Sequence, residues 1–197
     1  MTGIRRGIVA AVLLILSGAA AWVVYRTNQQ VVSGVTVVNP EGAGGKALVV
    51  YHPGLSDFQE RVTGAFVAAL VTRGWRVEQT TASSRAPTDL SGYDLLVVGG
   101  PTYWFTPAYS VRRYVARLGD LRGKPTAILI TGAGAVSRSR SVMERQVRAA
   151  HGEIVVSLAL TTMRPNDEAA MLAGEDNRVT AERMAGEAAR RIPPSHP

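Results

Sequence analysis

The stretch "LLVVGGPTYWFTPA", residues 95–108, decides how the chain is read. Its first five residues are continuously apolar, the pattern of a strand buried on both faces of a parallel sheet. A loop crowded with flat side chains comes next. Trp 3, Tyr 6 and Phe 3 make twelve aromatics in the chain, and Tyr103, Trp104, Phe105 and Tyr109 fall within residues 103–109. Gly100, Pro101 and Pro107 bracket them and break any regular element.

The same apolar texture recurs at "ALVVY" (47–51), "AILIT" (127–131) and "IVVSLAL" (154–160). "WRVEQT" (75–80) alternates instead and predicts a half-exposed edge strand. Helical stripes lie between these runs. Phe58, Val62, Ala65, Phe66, Ala69 and Leu70 form one, stopped by Gly74. Val111, Tyr114, Val115 and Leu118 form a second, with Thr106 and Pro107 as its cap and first position. Met143, Val147 and Ala150 form a third, opened by a capping box from Ser141 to Glu144 and closed by Gly152. Ala181, Met184, Ala185, Ala188 and Ile192 form the last, ended by Pro193.

Strands alternating with helices predict an α/β fold. The five runs make a five-stranded parallel sheet with helices on both faces. Right-handed crossovers, with the second strand at an edge, predict the strand order 2-1-3-4-5. Such sheets bind ligands beyond the C-terminal strand ends, where the chain reverses direction between strands 1 and 3. Three loops converge there: "HPGLSDF" (52–58), the aromatic loop, and "TGAGAVSRS" (131–139).

Each loop has a structural and a functional reading. Ser56, with Gln59 three residues on, is a capping box. The same helix start offers free N–H groups and a favourable dipole to a phosphate, and His52 is a further donor. The aromatic loop is either a lid on the core or a stacking wall for a conjugated ring. The glycines of the third loop permit close backbone approach, but no third glycine completes a dinucleotide fingerprint. "GLSDF" fails as a hydrolase elbow because Phe58 stands where the second glycine belongs. A phosphate-suited loop, an aromatic loop and a glycine-rich loop together are what a flavin mononucleotide (FMN) needs.

"LSGYDLLVVGGPTYWFTPA" and "GKPTAILITGAG" also carry a resemblance. From about Lys46 to Ile192 the chain resembles the flavodoxin-like, FMN-binding family. The resemblance implies an FMN cofactor and electron transfer to a redox partner protein or a quinone. It implies that Pro101, Thr102, Tyr103 and Trp104 border the isoalloxazine, with Tyr103 or Trp104 stacking on it and Phe105 beside them. Thr131, Gly132, Ala133 and Gly134 would contact the ring from the other loop. His52, Gly54, Ser56, Asp57 and Phe58 would form the phosphate end. That loop departs from the family's hydroxyl-rich "S-x-T-G-x-T", since Ser56 is its one hydroxyl. An FMN-dependent NAD(P)H:quinone-type reductase, and a binding or scaffold module without flavin, are the alternative readings. No side chain stands out as catalytic.

Outside residues 46–192, the N-terminus reads as a membrane signal. "GIVAAVLLILSGAAAWVVY" (7–25) carries no charge, and about 20 apolar residues cross a bilayer. An uncleaved transmembrane anchor (1–25) is the expectation, with a signal peptide cleaved near Ala19–Ala21 as the alternative. Arg5 and Arg6 against Arg26 place the soluble part outside the cytoplasm. Residues 26–45 read as a linker, in which "VTVV" has strand character, and 193–197 as a tail. Lys+Arg 22 against Asp+Glu 15 gives a net charge of +7 without a long basic run, so nucleic acid is not an expected partner. The chain has Cys 0, which excludes disulfides, thiol nucleophiles and cysteine-ligated metal.

Overall fold

A computed structural model describes residues 2–195. Met1, at the head of the expected anchor, and residues 196–197, including the tail histidine, lie outside the described residues. The core strands are β2 (Lys46–Tyr51), β3 (Arg76–Thr81), β4 (Leu95–Tyr103), β6 (Pro125–Gly132) and β7 (Glu153–Thr161). They pair in parallel in the order β3-β2-β4-β6-β7, the expected 2-1-3-4-5 arrangement.

The sheet nevertheless has seven strands, not five. β1 (Thr36–Val38) pairs antiparallel with β3, and β5 (Thr106–Pro107) folds back on β4. β1 corrects the reading of 75–80 as a half-exposed edge: with both neighbours in place, β3 buries Val77, Glu78, Thr80 and Thr81. Part of the expected linker is thereby engaged on the domain. The partly exposed edge is β7, where the register shifts opposite Thr126 and Ala127 and the extra residue, Val155, is left exposed. A bulge of this kind blunts an open edge.

Side-chain alternation sorts the sheet's two faces. Val49, Val97 and Leu129 meet α2 (Phe58–Thr72) and α6 (Asn177–Arg190) through Phe66, Leu70 and Ala185. Val50, Val98 and Ile130 meet α3 (Tyr109–Leu118) and α4 (Ser137–Ala149) through Val111, Tyr114, Met143 and Val147. Phe66, Leu70 and Met143 are fully buried. Each such side chain contributes about 1.5–3 kcal/mol relative to exposure, so helices on both faces are what the apolar strands require.

Two expected helix starts move. Thr106 and Pro107 form β5 rather than a cap, and α3 begins at Tyr109. Helix α4 begins at Ser137, so Ser141 lies a turn inside it and its hydroxyl donates to the Ser137 carbonyl at 3.1 Å. A short α5 (Glu168–Leu172), unexpected from the sequence, follows β7. At the N-terminus α1 (Thr2–Asn28) is one helix with Leu13, Leu14, Ile15 and Leu16 exposed. Several of its side chains, those of Val9, Ala10, Ala20 and Val23 among them, lie outside the described residues. Among the described residues no helix is long and apolar enough to cross a membrane.

Candidate functional site at the switch point

The site is assembled where β2, β4 and β6 end side by side. His52 continues β2, its N–H donating to the Gly99 carbonyl at 3.0 Å. Its ring is 3% exposed and meets Tyr103 edge-on, with centroids 6.1 Å apart. His52 therefore lies behind the loop instead of lining the cleft. Burial lowers its pKa, and Nδ1 has no hydrogen-bond partner.

Gly54 then turns the chain with φ +95°, a conformation side chains resist. Ser56 lines the cleft but is not a cap: the N-cap of α2 is Asp57, whose side chain makes no capping bond. Asp57 turns away to Arg178 at 3.4 Å and Arg61 at 3.9 Å, so it does not border the cleft. The first turn of α2 thus meets the cleft without a side-chain cap, through Phe58 and Gln59. Gln59 is not the capping-box partner the sequence suggests. Its Oε1 accepts from the Thr131 hydroxyl at 2.7 Å and its Nε2 donates to Thr63 at 3.0 Å.

The aromatic loop is a hairpin. Tyr103 pairs with Thr106, leaving Trp104 and Phe105 as a two-residue turn with φ of 50° and 63°. Positive φ at both central positions is what a type I′ turn requires, and Asn-Gly is its usual occupant. Two bulky residues held there store strain, on the order of 1–2 kcal/mol each. The turn carries both rings outward, Trp104 71% and Phe105 56% exposed. Tyr103 points the other way. A Cβ on Gly54 would lie 3.7 Å from its hydroxyl, and burial raises the phenol's pKa. Of the two expected stacking residues, only Trp104 stands at the outer wall.

On the far side, Thr131, Gly132 and Ala133 border the cleft, Thr131 being buried with its hydroxyl turned to Gln59. Their carbonyls accept from the N–H groups of Thr162 at 3.0 Å and Met163 at 2.9 Å, which fixes the glycine-rich loop to the segment after β7. Arg164 lies over Gly134, where an added Cβ would meet its Nε at 3.4 Å. Gln59, Leu55, Thr162 and Arg164 are the site residues that sequence reasoning missed. Only Gln59 carried a signal, and it read as a cap.

These loops enclose two adjoining clefts. One, about 240 Å³, is lined by Gly54, Ser56, Gln59, Tyr103, Gly132 and Thr162. The other, about 310 Å³, is walled by Trp104, Phe105, Ala135 and Val136. Thr102 and Ala133 border both. The Thr102 hydroxyl is buried without a hydrogen-bond partner and that of Tyr103 has only the Leu55 backbone beside it, a state that a polar ligand would relieve. Among the described residues no cluster of histidine and acidic side chains is arranged to hold a metal.

No protein-family model and no curated protein matches the chain. Solved structures do. Flavodoxin 2 from Bacillus cereus superimposes with a TM-score of 0.58 at 18% identity, covering 75% of this chain and 99% of that one. Megasphaera elsdenii flavodoxin does so at 0.57 and 17%, covering 74% and 99%. An NAD(P)H:quinone oxidoreductase from Methanothermobacter marburgensis gives 0.57 and 17%, covering 75% and 96%. The fold is therefore flavodoxin-like: a mostly parallel α/β sheet in which the strand order reverses between β2 and β4.

Proposed function

We propose that this protein binds FMN across the two adjoining clefts and carries electrons, tethered to a membrane by α1. The observation that carries this reading is the shape of the site. A narrower cleft at an uncapped helix start runs into a broader one walled by exposed aromatic rings. The first takes a phosphate and polyol chain, the second a flat ring.

The residues present suit that occupant. The first-turn N–H groups of α2 and the Ser56 hydroxyl face the phosphate end, where the helix dipole favours an anion. Thr102 brings an unpartnered hydroxyl to the junction, and Tyr103 one that only the Leu55 backbone approaches. Burial keeps Tyr103 a neutral phenol, able to donate a proton in a hydrogen bond. Trp104 and Phe105 offer stacking faces opposite the backbone of 133–134. Bound FMN supplies the redox chemistry, and the chain supplies position, dryness and hydrogen bonds. A redox partner protein or a quinone is the expected counterpart. The solved NAD(P)H:quinone oxidoreductase and an NADH:FMN oxidoreductase share the fold.

The tether rests on the uncharged stretch 7–25 and the exposed Leu13–Leu16 of α1. Arg5 and Arg6, ahead of that stretch, favour a folded part outside the cytoplasm. The test is a visible spectrum of the full chain purified in detergent, followed by FMN titration of the apo-protein. A bound flavin spectrum, with binding weakened by Ser56→Ala and by Trp104→Ala, is the expected result. A colourless protein that leaves FMN fluorescence unchanged overturns it.

A further inference from the structure

The edge of the sheet that carries the clefts is also the edge where α1 joins the domain. Residues after α1 run antiparallel to β3, so they start at its C-terminal end. Asn28 ends α1, and Gln30 already accepts from the Ser84 N–H at 3.1 Å. The Val31 carbonyl accepts from the Thr81 hydroxyl at 2.6 Å, and the Ser33 N–H donates to the same hydroxyl at 3.0 Å. Only Gln29 separates Asn28 from Gln30, and two residue steps of no more than about 3.6 Å span about 7 Å. The aromatic turn follows β4, two strands from β3, which is about 10 Å across the sheet.

The same edge is apolar. Among the described residues after 40, every exposed large hydrophobic side chain except Val155 sits on a loop, a helix start or the short α5, in the segments that follow the C-terminal strand ends. Leu55, Trp104 and Phe105 ring the clefts, and Met163 and Leu172 are 80% and 83% exposed. Their grouping on one edge is the kind of exposure that marks a partner or membrane surface.

The charges agree. Arg138 and Arg164, both exposed, flank the second cleft, and among the described residues neither makes an ion pair. The nearby acids Asp57, Asp167 and Glu175 are held by Arg61, Arg178 and Arg183, and Asp176 caps α6, while the exposed Glu60 and Glu168, in the first turns of α2 and α5, make no ion pair among the described residues.

We infer that this edge is a membrane-docking face, its apolar collar seated at the surface of the bilayer that takes α1. The inference rests on the proposed tether. Its consequence is that both clefts open toward lipid, so the reaction partner reaches the site from the membrane phase. Amphipathic rings and free arginines beside them are the chemistry of an interfacial contact with anionic headgroups.

The chain's Trp 3 provide the test, because each tryptophan sits in a different setting. Trp22 lies in α1, Trp75 is 1% exposed in the core, and Trp104 is on the collar. Full-length protein is placed in phosphatidylcholine–phosphatidylglycerol vesicles whose acyl chains carry a shallow spin-label quencher. In Trp22→Phe, docking cuts the Trp104 emission about twofold, Trp75 forming a constant background. Leu172→Glu, at a side chain with no packing to lose, should return much of that emission. Quenching in Trp104→Phe but none in Trp22→Phe overturns the docking face while the tether stands, and gives the edge to water or a protein. No quenching in either variant removes the tether and the inference with it.

Discussion

The Thr131 hydroxyl donates to Gln59 Oε1 at 2.7 Å, tying the end of β6 to the first turn of α2 beneath the cleft. Both residues are buried, and Gln59 also holds Thr63. Gln59→Leu leaves two buried hydroxyls without this partner and should cost about 1–3 kcal/mol. Thr131→Val added to it should cost less than the sum of the single changes, since they share one bond. Denaturant unfolding of the full chain measures both.

Gly99 exists to let Gln59 lie flat across β4. A Cβ there would stand 2.8 Å from Gln59 Nε2 and 3.3 Å from Tyr51 Cβ. The amide is pinned at both ends and cannot swing clear. Gly99→Ala should therefore destabilise by about 1–3 kcal/mol as overpacking, and Gln59→Ala in the same chain should recover part of the loss. A double-mutant cycle in denaturant shows whether it does.

The strained turn predicts a trade of stability against binding. Trp104→Gly and Phe105→Gly each relieve a positive φ and should stabilise the fold by about 0.5–1 kcal/mol after glycine's own entropy cost. Trp104→Gly also removes the outer wall of the second cleft. Its melting temperature should rise while FMN binding falls, in one preparation read by calorimetry and by flavin fluorescence.

Three of the five parallel strands were legible because burial on both faces writes itself into local composition: 47–51, 95–99 and 127–131 need no tertiary information, whereas β3 showed as an alternation and the apolar run of β7 suggested a burial that its edge position does not give. β1 and β5 were not, since strands of three and two residues carry no periodicity. The capping boxes misled for a tertiary reason. Gln59 fits the box pattern, but Thr131, far off in sequence, takes its amide. Ser141 fits too, but α4 starts a turn earlier. The three site loops were readable, yet the division of labour between Tyr103 and Trp104 was not. It arises because β4 persists to Tyr103 before the turn.

His52 predicts a pH dependence. Its pKa is lowered by burial from the ordinary 6.5, so the folded protein resists a proton that the unfolded chain accepts. The unfolded state then binds more protons, and stability falls as pH drops below 6.5 toward the lowered folded value. His52→Leu removes this term. The variant's stability should decline less than that of the wild type between neutral and mildly acidic pH, as urea midpoints across the range would show.

Glu78 gives the opposite control, at the end of the sheet away from the clefts. Burial acts to raise its pKa, but hydrogen bonds outweigh it and leave the carboxyl below its usual range. Lys46 Nζ lies 2.8 Å from Oε1, the Tyr93 hydroxyl donates to Oε2 at 2.6 Å, and Arg76 stands at 3.3 Å. A depressed carboxyl stabilises the fold above its unfolded value of 4.5, and that stability is lost as pH falls through the folded pKa. Glu78→Gln should therefore be clearly less stable than the wild type at pH 7, and the gap should close in acid. Because the cluster touches neither cleft, FMN titration of the folded variant should match the wild type. A parallel loss of binding would mean that the two ends of the sheet are coupled.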